Sequence, residues 1–160
     1  MTIEIIKVDY HNPEHAHHMI ELLDCYATDP MGGGVALSDF TAQNLVPALS
    51  RRSDAFSLLA YVDGQPAGLT NCFEGFSTFA CRPLINIHDV VVANEYRRMG
   101  VSRKMFDHVE KMANQRGCCK LTLEVLEGNS IAQTAYEKYG FQQYHLDDKN
   151  GAAMFWEKAL

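Results

Sequence analysis

The 160-residue sequence predicts an α/β domain: a mixed sheet of about seven strands with helices on both faces. Three observations carry this. The hydrophobic period switches between helical and strand-like along the whole chain. An Asp63-Gly64 turn joins two successive strand-like runs. A strongly amphipathic helix, residues 100–116, lies between two apolar strands, so parallel pairing is expected beside the hairpin.

Thr2–Val8 alternates as a first strand. Asn12–Ala27 repeats Ala16, Met19, Ile20, Leu23 and Tyr26 at helical spacing, with Asn12 or Asp9 as cap. Asp29–Gly34 (DPMGGG) breaks the pattern as a loop. A second helix fits Asp39–Arg51, capped by Ser38. Phe56–Val62 and Ala67–Phe73 form the hairpin, and Leu84–Val92 is a long apolar strand. Gly100–Arg116 is helical, with Val101, Met105, Val109, Met112 and Ala113 on one face and Gly117 as stop. Leu121, Leu123 and Val125 alternate in the next strand. A short helix, Ser130–Tyr139, starts at Asn129 and stops at Gly140. Phe141–Leu146 and Ala152–Glu157 are expected as a last hairpin, giving the order βααβββαβαββ within one domain, 1–160.

Composition excludes several classes. Hydrophobic residues are 47% and charged residues 21%, ordinary globular usage. No apolar run reaches the roughly 18 residues of a membrane span, and the first ten residues lack a signal-peptide pattern, so a cytoplasmic protein is expected. Five cysteines without CxxC spacing argue against a disulfide framework or structural zinc. A net charge of −6 without a basic cluster disfavours nucleic acid as a partner.

The most informative segment is Val90-Val91-Val92-Ala-Asn-Glu-Tyr-Arg97-Arg98-Met99-Gly100-Val101-Ser102-Arg103. It is a buried strand, a polar turn, then a helix opening on glycine. Unpaired N–H groups and the positive end of the dipole make such a helix start an anion site. Gly100 lets the backbone approach a bulky diphosphate, and Arg97, Arg98 and Arg103 add positive charge. By itself the turn fits a capped helix with solvated arginines equally well. Neither GxGxxG nor GxxxxGK[ST] is present, which removes the nucleotide-fold alternatives.

Downstream, Asn129, Ala132 and Tyr136 fall at i, i+3 and i+7 on one helix face, ahead of Gly140-Phe141. Taken singly, each also fits a cap or a core position. Together, Arg97-Arg-Met-Gly100-Val-Ser102 and Asn129…Ala132-x-x-x-Tyr136-x-x-x-Gly140-Phe141 resemble the signatures of the GNAT acetyltransferase superfamily. The likeness is clear from about Ser57 to the C-terminus. Ile87–Arg97 looks most like the diamine and polyamine acetyltransferase branch. Ser102 departs from the family's usual Gly or Ala and adds bulk beside the diphosphate site.

The resemblance implies acetyl-CoA as cosubstrate, held in a V-shaped splay between the two central parallel strands, Leu84–Val92 and Lys120–Leu126. Backbone of Val90–Val92 would pair with pantetheine, and amides from Arg98 to Arg103 would hold the pyrophosphate. Val90 N–H would face the developing oxyanion, a donor worth roughly 3–4 kcal/mol. Tyr136 would assist the leaving thiolate. With a phenol near pKa 10 against about 8.5 for a thiol, hydrogen bonding rather than full transfer is its expected contribution. The resemblance also implies self-association as a homodimer.

An amine acceptor must be neutral to attack. For a Lys-like amine at pH 7 deprotonation costs roughly 4.6 kcal/mol, about 3.4 pKa units. His88 is the leading base, since an imidazole ordinarily titrates near 6.5. Asp89 is its neighbour, and alternation sends the two to opposite faces unless a bulge intervenes. Another carboxylate such as Glu124, acting through water, is the competing base. The acceptor is expected to be a small amine, with a protein N-terminus or lysine as the alternative. A non-catalytic acyl-CoA sensor is the reading from another class. His11, His15 and His18 could share a helix face, but no acid or thiol completes a metal set, so no metal is expected. Gly32-Gly33-Gly34 is expected to border the acceptor as a loop or lid.

Overall fold

A computed structural model describes residues 1–160. Its elements are β1 (Ile3–Lys7), α1 (Pro13–Thr28), α2 (Asp39–Ser50), β2 (Ala55–Val62), β3 (Gln65–Ser77), β4 (Arg82–Val92), α3 (Val101–Gln115), β5 (Leu121–Leu123) and α4 (Ser130–Tyr139). Short 3₁₀ turns cover Pro30–Gly32 and Asn94–Tyr96. The chain separates into two compact units, Met1–Leu123 and Glu124–Leu160.

In the first unit the sheet order is β1-β2-β3-β4-β5. The first four strands pair antiparallel, and β4 pairs parallel with β5. The β2–β3 turn follows its chemistry: Asp63 and Gly64 both take positive φ, 48° and 81°, the pair of left-handed residues that suits a twisted hairpin. The parallel ladder spans only Ile85–Ile87 opposite Leu121–Leu123, while β4 runs on to Val92. Pairing with β5 therefore ends at Ile87, and His88–Val92 continue β4 beyond it.

Alternation sends side chains of adjacent strand residues to opposite faces. On one face Leu59, Leu69 and Val91 pack with Met19 and Leu22 of α1 and Val46 and Leu49 of α2. On the other, Ala60, Val62 and Ala67 meet Val101 and Met105 of α3, with Val90 and Val92 packed against them. Fully burying each such large side chain contributes about 1.5–3 kcal/mol. The close seat of α3 depends on Gly68, where a Cβ would lie 2.9 Å from the Val91 carbonyl and 3.1 Å from the Val101 side chain.

Caps account for the helix boundaries. Asn12 accepts from Glu14 and His15 N–H at the start of α1, and Ser38 accepts from Thr41 N–H at the start of α2. Pro47 lies within α2, and the helix ends three residues later at Ser50 rather than Arg51.

In the second unit α4 matches its expected span, but the last two expected strands are not formed. Between them there is one antiparallel bridge, His145 to Ala152, so the sheet has five strands rather than about seven. The physical reason is local. Asp147 gathers the N–H groups of Lys149 and Asn150 and the Asn150 amide into a tight polar loop. Residues 142–150 are all exposed, so no apolar face holds a strand register there. With those strands missing, β5 is an edge of this sheet rather than a central strand.

Candidate active site

The register of β3 and β4 slips between Asn71 and Cys72. Asn71 faces Asp89 and Cys72 faces Ile87, leaving His88 as the extra residue of a bulge. Strict alternation would place only one of His88 and Asp89 toward an acceptor; with the bulge, both line one cavity of about 360 Å³. Its other walls come from α1 (Leu23, Tyr26), α2 (Leu45, Leu49) and the connecting segment (Gly32, Leu37). His88 is exposed and packs edge-on against Phe73, with ring centroids 5.5 Å apart at 84°.

A buried hydrogen-bonded chain holds the Asp89 carboxylate. Asn71 Nδ2 donates to Asp89 Oδ2 at 2.9 Å, and Ser57 Oγ donates to Asn71 Oδ1 at 2.6 Å. Because the Ser57 proton is committed to Asn71, the 2.9 Å contact of Tyr10 with Ser57 Oγ has the phenol as donor. Ser57 and Asn71 are 1% and 4% exposed, so each link counts: an unmade one leaves a polar group in the dry core. Burial holds the Tyr10 phenol above its usual pKa. Burial also raises the Tyr26 phenol, with the negative charges of Asp89 and then Asp29 adding to it. Tyr26 is therefore a neutral donor at the cavity wall.

At its other end β4 runs into the expected anion cradle. Val92 and Ala93 lead through the Asn94–Tyr96 turn to Arg97, and Arg98 and Gly100 both take positive φ, 65° and 84°. Gly100 is the N-cap of α3 and makes no side-chain cap, so the first-turn amides at Val101, Ser102 and Arg103 receive no capping side chain. A Cβ at Gly100 would meet nothing within 4 Å, so the space beside these amides is open. Ser102 is half-buried, whereas Arg98, Met99 and Arg103 are exposed. Such a turn fits a diphosphate.

Arg97 is engaged elsewhere. Its Nη2 donates to Asp29 Oδ2 at 3.1 Å and its Nε to the Val92 carbonyl at 3.3 Å. The guanidinium therefore ties the cradle to the Asp29–Gly34 segment, where Asp29 accepts from Met31 N–H. These donors, the Met31 amide first and then Arg97, hold the Asp29 carboxyl below its usual range. Gly32 lines the cavity, and a Cβ there would collide with the Tyr26 carbonyl. The loop is thus part of the cavity wall, pinned at Asp29. Among the histidines of α1, His15 Nδ1 accepts from Asp9 N–H at 3.1 Å and His18 Nδ1 contacts Tyr61 OH at 2.9 Å.

The second unit holds the remaining expected residues. Asn129 Oδ1 accepts from Ala132 N–H at 3.1 Å, capping α4. Tyr136 is half-buried and packs edge-on against Phe141 at 6.1 Å. Gly140, with φ 116°, ends the helix.

Sequence reasoning missed Tyr10, Ser57, Asn71 and Tyr26. The available signal was polarity in the wrong place: Ser57 and Asn71 interrupt otherwise apolar strands, AFSLLAYV and the LTNCF stretch of β3. Buried polar side chains in such strands need partners.

The chain is 25% identical over 137 residues to thialysine N-epsilon-acetyltransferase of Caenorhabditis elegans, covering 85% of this chain and 81% of that protein. It is 35% identical over 100 residues to streptothricin acetyltransferase of Streptomyces lavendulae, covering 61% of this chain and about half, 51%, of that protein. In fold it is similar to the crystal structure of a probable acetyltransferase, with TM-score 0.79, 20% identity, and coverage of 98% and 99% of the two chains. It is also similar to AAC(6')-Iy solved with a bisubstrate analogue, with TM-score 0.77, 16% identity, and full coverage of both chains. The model of the acetyltransferase (GNAT) family matches residues 5–141, across both compact units, and the chain is an acyltransferase that belongs to that family.

Proposed function

We propose that this chain moves an acetyl group from acetyl-CoA to a primary amine by direct attack, with residues 1–160 working as one catalytic domain. One observation carries the reading. The post-bulge stretch of β4 joins two different features: His88 and Asp89 line a cavity at one end, and Val92 leads into the open-amide turn at Gly100 at the other. A diphosphate at that turn and an amine in the cavity would lie along one strand. Relatives named for thialysine and streptothricin support an amine as acceptor.

Amides of Val101–Arg103, with Arg98 and Arg103 nearby, would hold the coenzyme's pyrophosphate. When bound, the thioester supplies an activated acetyl carbon. Asp89 attracts the amine as its ammonium and fixes the nitrogen, and its anchored carboxylate costs little reorganisation. His88 takes the proton that must leave before attack. Tyr136 keeps the thiolate-assisting role that the family signature gives it.

Release of free thiol from acetyl-CoA over an amine panel tests the function. Coenzyme binding without release on any amine would favour a sensor instead. Tyr136→Phe should lower turnover by about tenfold or more while coenzyme affinity stays within about twofold. Unchanged turnover removes Tyr136 from the chemistry. His88→Gln should alter the pH profile of kcat/KM as well as its magnitude, because the titrating acceptor is gone; a profile of the same shape would assign the proton to another group.

A further inference from the structure

We propose that the cavity selects amines with a single cationic nitrogen and a hydrocarbon body, and discriminates against small polyamines. This rests on the acetyltransferase reading above and concerns which acceptors it uses.

The wall is mainly hydrocarbon: Leu23, Leu37, Leu45, Leu49 and Phe73 line it. Asp89 is the only carboxylate among the lining residues, and the other titrating side chains there are His88 and the phenol of Tyr26. A first ammonium meets Asp89. A second, one short carbon chain away, would meet leucines and a phenylalanine. Asp24, Asp29 and Glu74 do not line the cavity: Asp29 pairs with Arg97 and accepts from Met31 N–H, Asp24 accepts from Leu37 N–H at 2.8 Å, and Glu74 pairs with Arg116 at 3.0 Å. Thr41 contributes a hydroxyl already placed 3.0 Å from Ser38 Oγ, and Tyr26 contributes a neutral phenol. Neither neutralises a charge. Placing an unpaired ammonium against apolar surface is costly, whereas a methyl group in the same place is favourable.

The test compares pentylamine with 1,4-diaminobutane, which have equal numbers of heavy atoms and differ by CH₃ against NH₃⁺. Thiol release from acetyl-CoA gives kcat/KM for each, with the diamine corrected for its two equivalent nitrogens. Pentylamine should be favoured by at least about tenfold. A smaller ratio, with turnover present, overturns the selectivity and leaves the acetyltransferase reading standing. No thiol release with any amine, from protein that binds the coenzyme, overturns that reading and the selectivity with it. Leu37→Glu adds a carboxylate to the wall from a loop position and should narrow the ratio at least threefold; Thr41→Glu serves if that protein does not fold. A folded variant with the ratio unchanged would place the discrimination outside this cavity and overturn the inference.

Discussion

Gly100→Glu is expected to weaken coenzyme binding by about a hundredfold or more, because it puts a carboxylate at the proposed diphosphate site. The backbone there has φ 84°, so a non-glycine residue also strains the loop, by about 1–2 kcal/mol. That strain alone would lower stability without preventing folding. Gly100→Asn separates the two effects, since asparagine tolerates a left-handed conformation and carries no charge. It should bind the coenzyme within about fivefold of the parent protein if charge dominates, a span of about 1 kcal/mol. Titration calorimetry and a melting curve on both variants make the comparison. Parent-like affinity in Gly100→Glu would mean that the diphosphate does not sit on the start of α3.

Much of the fold was legible because local signals and tertiary packing agree. Asn12, Ser38 and Asn129 each cap the helix that the sequence starts there. Asp63-Gly64 turns the expected hairpin, and Val101, Met105 and Val109 are the buried stripe of α3. Phe141–Leu146 and Ala152–Glu157 failed as strands because their pattern is short and the Asp147 loop competes for the backbone. The uncapped start of α3 was readable from Arg97 to Ser102 because it is built by main chain and glycine, which leave a mark in sequence. Arg97 also has a contact that local spacing does not reveal: its guanidinium pairs with Asp29, 68 residues earlier. The cavity beside Asp89 was not readable residue by residue for the same reason: its walls join α1, α2, β3 and β4, and the bulge that lets both His88 and Asp89 line it is a pairing event between strands.

Asp89→Asn and Asn71→Leu should both impair amine turnover, but only the second should destabilise the protein. Asparagine at 89 keeps the size of the carboxylate and, through its carbonyl oxygen, the hydrogen bond from Asn71; what it loses is charge. The acceptor ammonium then lacks its counter-ion, and kcat/KM should fall about 10–100-fold, mainly through KM, as expected for a charged hydrogen bond of roughly 1.5–3 kcal/mol. Leucine at 71 removes a donor and an acceptor at once. Ser57 Oγ, 1% exposed, loses its acceptor, and Asp89 Oδ2 loses its donor. Two groups left unsatisfied at about 1–3 kcal/mol each should lower the melting temperature by several degrees or more. The freed carboxylate also becomes mobile, so turnover falls although its charge remains. Combining the changes distinguishes a connected chain from two independent residues. If Asn71 acts on turnover by holding Asp89, Asp89→Asn in the Asn71→Leu background should cost less kcat/KM than it does alone. Strict additivity would mean that the Tyr10–Ser57–Asn71 chain supports the core and has no part in positioning the acceptor.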